Sequence, residues 1–302
     1  MSSTVILVGG DARIADLVSL APAGTCTAVV VGSRQVADQV AASGVDAVTW
    51  LGEPGTVPIE AYAVAVAALV AEAVPDLVLA ATRPADRVLA GAVAAALGAP
   101  VRTMATEVVV EPGLVRTTGG VFGGIAQQSE TTAGPVVVVA DGGAPGEAAP
   151  GGPAPVTEVG AQPIAGITVV SEQPSERVAA DLSRATRIVS AGRGVKAQAD
   201  LALVDALAAA LGAEQACSRP LAEGLGWYAH DRYVGVTGQQ VSPALYVAVG
   251  ISGQLQHAVG ARGAGTVVAI NSDKDCPFFA EADYCVVGDL YQVVPALTEA
   301  LS

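Results

Sequence analysis

The chain has few of the side chains that most enzymes use for proton transfer and nucleophilic attack. It holds only two histidines and four cysteines in 302 residues. Cys26, Cys217, Cys276 and Cys285 include no CxxC pair, and the histidines are too few to complete a set of structural zinc ligands. The cysteines therefore read as buried small hydrophobes. The N-terminal stretch MSSTVILVGGDARIADL has no basic region ahead of its apolar residues, so it does not read as an export signal. Disulfides are then not expected, and a cytoplasmic location is. Basic residues are also scarce, 15 against 29 acidic ones, and a net charge of −14 argues against a nucleic-acid binder. Hydrophobic residues make up 52% of the chain, yet no apolar run approaches the ~20 residues of a membrane helix. No integral membrane segment is expected.

What is present is a regular alternation of short β-branched runs with Ala-rich helical runs. Strands are predicted at Thr4–Val8, Thr27–Val31, Asp46–Trp50, Asp76–Ala80, Arg102–Val110 and Pro135–Ala140, with helices near Arg34–Ala42, Ile59–Val74 and Ala85–Leu97. Such β-then-α order predicts a mainly parallel sheet covered by helices. The segment Gly119–Gly124 reads as a turn or kink, since it lacks the Lys-Ser/Thr ending of a phosphate loop. From 141 to about 166 the chain turns rich in Gly, Pro and Ala and reads as a flexible connector, followed by one more strand at Ile167–Val170. Alternation resumes near Asp181. Strands are predicted at Thr186–Ala191, Glu214–Ser218, Leu245–Val249, Thr266–Ile270 and Tyr284–Val287, and helices at Asp200–Leu211 and Leu290–Leu301. The predicted fold class is α/β in two domains. Residues 1–180 form an N-terminal domain with a mainly parallel sheet, and residues 181–302 form a doubly wound domain.

The stretch LYVAVGISGQLQH, Leu245 to His257, reads as a buried strand, a tight Gly250-Ile251-Ser252-Gly253 turn and the start of a helix. Such a turn gathers unpaired backbone N–H groups and the positive end of a helix dipole, a setting suited to pyrophosphate. It is not a nucleophile elbow, because Gln254 stands where Gly-x-Ser-x-Gly needs its last glycine. Other polar residues also follow strand ends: Arg193, then Ser218 and Arg219, then Ser252, Asn271 and Asp289. In a parallel sheet those ends share one edge, so these residues converge on one ligand.

Several segments of this second domain resemble the α subunit of electron transfer flavoprotein. The resemblance rests on SAGRGVK at 190–196, CSRPLAEGLGW at 217–227, YVGVTGQQVSPALYVAVGISGQLQH at 233–257, VVAINSDKDCPFF at 267–279 and ADYCVVGDLYQVVPALTEAL at 282–301. ATRPADRVLAGAVAAALGAPVRTMATEV at 81–108 extends it more loosely into the first domain. The resemblance implies an FAD-binding second domain and a β-subunit partner in a heterodimer. It further implies electron flow from dehydrogenases, such as acyl-CoA dehydrogenases, to an acceptor such as a quinone oxidoreductase. By the same resemblance, Arg193 lies near the FAD phosphates or adenosine and Ser218 contacts a phosphate oxygen. Arg219 sets its guanidinium against the isoalloxazine, and Thr237 reaches the flavin N5 region. Gly250, Ile251, Ser252, Gly253 and Gln256 serve the pyrophosphate and ribityl chain. His257 donates toward the flavin O2. Asn271, Asp289 and Leu290 surround the adenosine end. Where the family carries two glutamines this chain has Tyr233 and Val236, and Val236 keeps only a backbone N–H in that role.

The residues alone leave two other classes open. One is an NAD-dependent enzyme with His257 as its base. The other is a nucleotide-binding assembly subunit without redox function, to which Tyr233 and Val236 point.

Overall fold

A computed structural model describes residues 2–122, 126–146, 152–171 and 182–301. The chain divides into two compact units, Met1–Gln173 and Pro174–Ser302.

In the first unit, strand β1 (Ser2–Gly9) leads to helix α1 (Ala15–Leu20), and β2 (Gly24–Val31) to α2 (Arg34–Ala41). Then come β3 (Ala47–Trp50), α3 (Ala63–Ala73), β4 (Leu77–Ala81) and α4 (Pro84–Leu97). They are followed by β5 (Val101–Thr103), β6 (Ala105–Glu111), β7 (Leu114–Val121), β8 (Ala126–Ala133), β9 (Val136–Ala140) and β10 (Val156–Glu158). Seven of these strands form one parallel sheet in the order β10-β3-β2-β1-β4-β9-β5. Both faces are covered. Ile6, Val8, Ala28 and Val30 pack toward α1, α2 and the inner residues of β6 and β7, while Val5, Leu7, Val29 and Val31 pack toward α3 and α4. Burial on both faces is why these strands are continuous apolar runs rather than alternating ones. The helices stop where their sequences say they must. Ser33 caps α2 by accepting the Val36 N–H at 3.3 Å, and α4 opens on Pro84 and ends at Gly98, whose φ of 61° suits a residue without Cβ.

Four sequence expectations are corrected here. The single strand expected at Arg102–Val110 is two strands in two sheets, broken at Met104, whose φ of 56° turns the chain out of the parallel sheet. The region read as a connector contributes β10, which extends the sheet by pairing Val156 with Val48. Ile167–Val170 forms no strand and is tied by one backbone bond, from the Val169 N–H to the Thr56 carbonyl at 2.8 Å. Of the expected glycine turn, Gly119 and Gly120 lie inside β7, and Gly123 and Gly124 lie outside the described residues. A side chain at Gly119 would run into the Met104 carbonyl. The strands β6, β7 and β8 form a separate antiparallel sheet. Polar β8, AQQSETTA, escapes a hydrophobic pattern because most of it faces solvent.

The second unit contains β11 (Arg187–Ala191), α5 (Leu201–Leu211), β12 (Glu214–Cys217), β13 (Leu245–Val249), α6 (Leu255–Ala261), β14 (Val267–Asn271), β15 (Tyr284–Val287) and α7 (Leu290–Leu301). The five strands are parallel in the order β12-β11-β13-β14-β15. Strand order reverses between β11 and β13, so their carboxyl ends open a crevice at the switch point. Val189, Val247 and Val249 face α5 and α7, and Ile188, Tyr246 and Ala248 face α6 and the Phe278 segment. Among the described residues no helix is long and apolar enough to cross a membrane.

In the first unit the reversal falls between β1 and β4, and there the chain fills the gap itself. Asp86 is fully buried, accepts the Gly9 N–H at 2.6 Å and pairs with Arg83 Nε at 2.5 Å. Arg83 also pairs with Asp11 at 3.1 Å. Asp86→Ala should lower stability by about 1–3 kcal/mol, because it leaves the buried Gly9 N–H without an acceptor while Arg83 keeps Asp11. Asp86→Asn keeps an acceptor for Gly9 and should lose less. Urea unfolding of the two variants against wild type measures this ranking.

Candidate functional site

The crevice between β11 and β13 exists because three glycines let two backbones cross. The Gly192 N–H donates to the Val249 carbonyl at 2.8 Å, and the Gly194 N–H to the Gly250 carbonyl at 2.9 Å. A Cβ at Gly192 would fall 2.3 Å from the Gly250 oxygen, and one at Gly194 2.7 Å from the Gly250 Cα. Gly250 itself has a φ of 64°, the left-handed region that glycine enters without strain. Asn271, at the end of β14, braces the same turn. Its Nδ2 donates to the Ile251 carbonyl at 2.9 Å, and its Oδ1 accepts the Asp273 N–H at 3.0 Å.

Above this crossing lies a cleft of about 810 Å³. Arg193, Ser218, Arg219, Val236, Thr237, Gly250, Ile251, Ser252, Gln256, His257 and Asn271 line it. Asp289 and Leu290 line a neighbouring recess of about 180 Å³ that shares Gly194, Gly250 and Asn271 with the cleft. Asp289 caps α7 by accepting the Tyr291 N–H at 3.0 Å. Gly253 lines neither space. With a φ of 76° it lets the backbone of Phe278 approach, where a Cβ would come within 2.2 Å of the Phe278 nitrogen. Sequence reasoning left Gly194, Pro220, Tyr233, Val234 and Gln254 out of the cleft wall. All but Val234 and Tyr233 adjoin a named site residue in sequence, and Tyr233 had been singled out only as a departure from the family pattern.

The cleft is unusual for its charge. In a chain of net charge −14 it presents Arg193 and Arg219, and no Asp or Glu stands among its lining residues. Just behind the rim, Glu223 pairs with Arg219 at 2.5 Å and faces His230 Nε2 at 3.3 Å. The Arg219 guanidinium holds the Glu223 carboxyl below its usual range. Cys217, directly below, is no nucleophile at neutral pH, since burial pushes its thiol up to about 12.

Several donors near the cleft are already committed. The Val236 N–H donates to the Gln256 carbonyl at 2.7 Å, so it is not free for a ligand as its sequence role suggested. His257 is buried, with Nε2 at 2.9 Å from the Tyr246 hydroxyl. Burial depresses the His257 pKa to about 4, with the Val234 carbonyl pulling the other way. His257 is therefore neutral at pH 7.

A doubly wound parallel sheet with an acid-free, glycine-crossed cleft at its switch point defines a nucleotide-binding domain. Comparison with known proteins makes this particular. Residues 181–262 match the electron transfer flavoprotein FAD-binding domain, and residues 15–164 match the electron transfer flavoprotein domain. YdiR of Escherichia coli K12, which carries an electron transfer flavoprotein subunit name, is 39% identical over 254 residues, covering 80% of this chain and 79% of YdiR. FixB of Salmonella typhimurium LT2 is 38% identical over 262 residues, covering 84% and 83%. FixB of Escherichia coli O6:K15:H31 is 39% identical over 257 residues, covering 83% and 82%. The chain belongs to the electron transfer flavoprotein family, on its α-subunit side, and its second unit carries the family's FAD-binding domain.

The state of His257 has a consequence for stability. In the unfolded chain it takes a proton near its ordinary value of 6.5, and in the folded protein it resists until about 4. Between these values the unfolded state binds more protons, so stability is full above about pH 6.5 and falls as pH drops toward 4. The shift corresponds to about 3 kcal/mol. Urea unfolding across that range should show a steeper acid loss for wild type than for His257→Phe, by an amount of that order.

Proposed function

We propose that the chain is the FAD-carrying half of a heterodimeric electron transfer flavoprotein and that its cofactor lies in the β11/β13 cleft. The observation that carries the placement is the acid-free cleft with two arginines above a glycine crossing, in an otherwise acidic chain. The residues present suit the group: a cradle that side chains would fill, and cations for phosphate. In this reading Gly250, Ile251, Ser252 and Gln256 serve the pyrophosphate and ribityl chain, with Arg193 and Ser218 at phosphate oxygens. Asn271, Asp289 and Leu290 hold the adenosine end in the smaller recess. Arg219, Thr237 and His257 face the isoalloxazine. When bound, the flavin supplies one- and two-electron transfer. The chain's part is to orient it and to stabilise negative charge on its ring, for which a guanidinium is suited. No acid–base pair or nucleophile is needed, and the buried Cys217 and neutral His257 agree with that.

The partner in this proposal is a β subunit. The donors are dehydrogenases such as acyl-CoA dehydrogenases, and the acceptor is an oxidoreductase such as one that reduces quinone. The setting is cytoplasmic. A second reading, a nucleotide-binding subunit without redox function, is favoured by one observation: the Val236 N–H is committed to Gln256, and no glutamine replaces it.

An absorbance spectrum of the protein purified with its partner separates the two, with flavin bands expected. Arg219→Ala should then lower the flavin midpoint potential while leaving the fold intact, because the cation favours the reduced, negative ring. Arg219→Lys should restore only part of the loss, since an ammonium cannot reproduce the planar fork. Potentiometric titration of the three proteins decides the matter, and equal potentials would mean that Arg219 serves only Glu223.

A further inference from the structure

The loop that carries Thr237 turns three of its backbone donors inward. The Gly235 N–H goes to the Gln239 carbonyl at 3.1 Å, the Val236 N–H to Gln256 at 2.7 Å and the Gly238 N–H to Gly235 at 3.0 Å. His257 has committed Nε2 to Tyr246, and its Nδ1 is buried. An acceptor atom presented to this part of the cleft is therefore left with the donors of Thr237 itself, its N–H and its hydroxyl. Thr237 is exposed and lines the cleft. A threonine hydroxyl on an exposed loop ordinarily rotates to suit whatever is near it.

Here it is not free to do so. Tyr233 lies beneath the loop, 1% exposed, and its hydroxyl is hydrogen-bonded to Thr237 Oγ1. The Tyr233 ring is itself wedged. It meets His230 edge-on at 5.3 Å, and a side chain at Gly238 would run into the ring. Tyr233 is thus a fixed point and Thr237 the adjustable partner. A phenol is the stronger donor and the weaker acceptor of the two hydroxyls. Tyr233 therefore donates, Thr237 Oγ1 accepts, and the Thr237 hydrogen is left for the cleft.

We propose that Tyr233 is a positioning residue: its hydroxyl turns Thr237 into a directed hydrogen-bond donor to an acceptor atom on the ring of the bound cofactor. The proposal rests on the FAD placement above and deepens it. It also gives the tyrosine at 233 a task in the region where the family's glutamine was expected to work.

A double-mutant cycle on the FAD-loaded protein tests it, with its partner subunit present. The variants are Tyr233→Phe, Thr237→Val, the two combined, and Thr237→Ser. Tyr233→Phe keeps the wedged ring, and the change at 237 lies on an exposed loop, so the fold should survive both. Each of the first two should weaken FAD binding about fivefold, the value of one ordinary hydrogen bond, and both should move the midpoint potential in the same direction. The combined variant should be no weaker than Thr237→Val alone, because the tyrosine acts only through the threonine. Thr237→Ser should match wild type. A Tyr233→Phe protein with unchanged affinity and potential would overturn the proposal, as would additive effects in the combined variant. A wild-type protein that binds no flavin with its partner present would overturn the placement itself, together with everything built on it.

Discussion

The backbone crossing of Gly192–Gly194 with Gly250 is the constraint on which the second unit depends. Two loops leave adjacent parallel strands, β11 and β13, and must diverge without a side chain between them. Any Cβ at Gly192 would meet the Gly250 oxygen well inside contact distance. Because the loops cross so closely, their outer rims hold Arg193 on one side and Ser252 on the other, with Leu290 packed against the crossing itself. Asn271 then ties the Ile251 carbonyl to the end of β14, so the turn is braced from the next strand. The cleft is a consequence of topology, and its chemistry is a consequence of what the strand ends present.

That chemistry is one of removal as much as addition. Carboxylates are kept off the cleft wall, although the chain as a whole carries an excess of them. Glu223, next to the cleft, is tied to Arg219 from behind. The cleft histidine, His257, is held neutral by burial. The Gly235, Val236 and Gly238 N–H groups are satisfied internally, which shifts recognition toward Thr237 and the arginine and serine side chains. The first unit solves the equivalent problem in the opposite way. Its switch point, between β1 and β4, is closed by Asp86 and Arg83 from within the chain.

The second unit was readable from sequence because its strands are short β-branched or apolar runs that stop at turn residues. Leu245–Val249, Tyr284–Val287 and Leu290–Leu301 stand in the structure with the bounds that periodicity suggested. The convergence of Arg193, Ser218, Ser252 and Asn271 followed from one rule about parallel sheets, and they share one cleft wall. What sequence could not supply was direction. Nothing in a string of letters says that the Val236 N–H turns inward to Gln256, or that Gly253 serves Phe278 and not the cleft. Tyr233 looked like a lost glutamine, because its value lies in a contact four residues away that only the folded loop creates. In the first unit the misreadings came from weak patterns. The polar strand β8 lacks a buried face, β10 is a three-residue edge inside a Gly/Pro-rich stretch, and Met104 breaks a run whose composition is uniformly strand-like.

The central claim is that the FAD of this flavoprotein subunit lies across the β11/β13 crevice of the second unit. A structure of the flavin-loaded protein, with its proposed partner, tests it most directly. The account predicts the pyrophosphate on the turn at 250–253, with the protein contacts of this chain drawn chiefly from residues 190–291. A dinucleotide held mainly by residues 1–140 would contradict it.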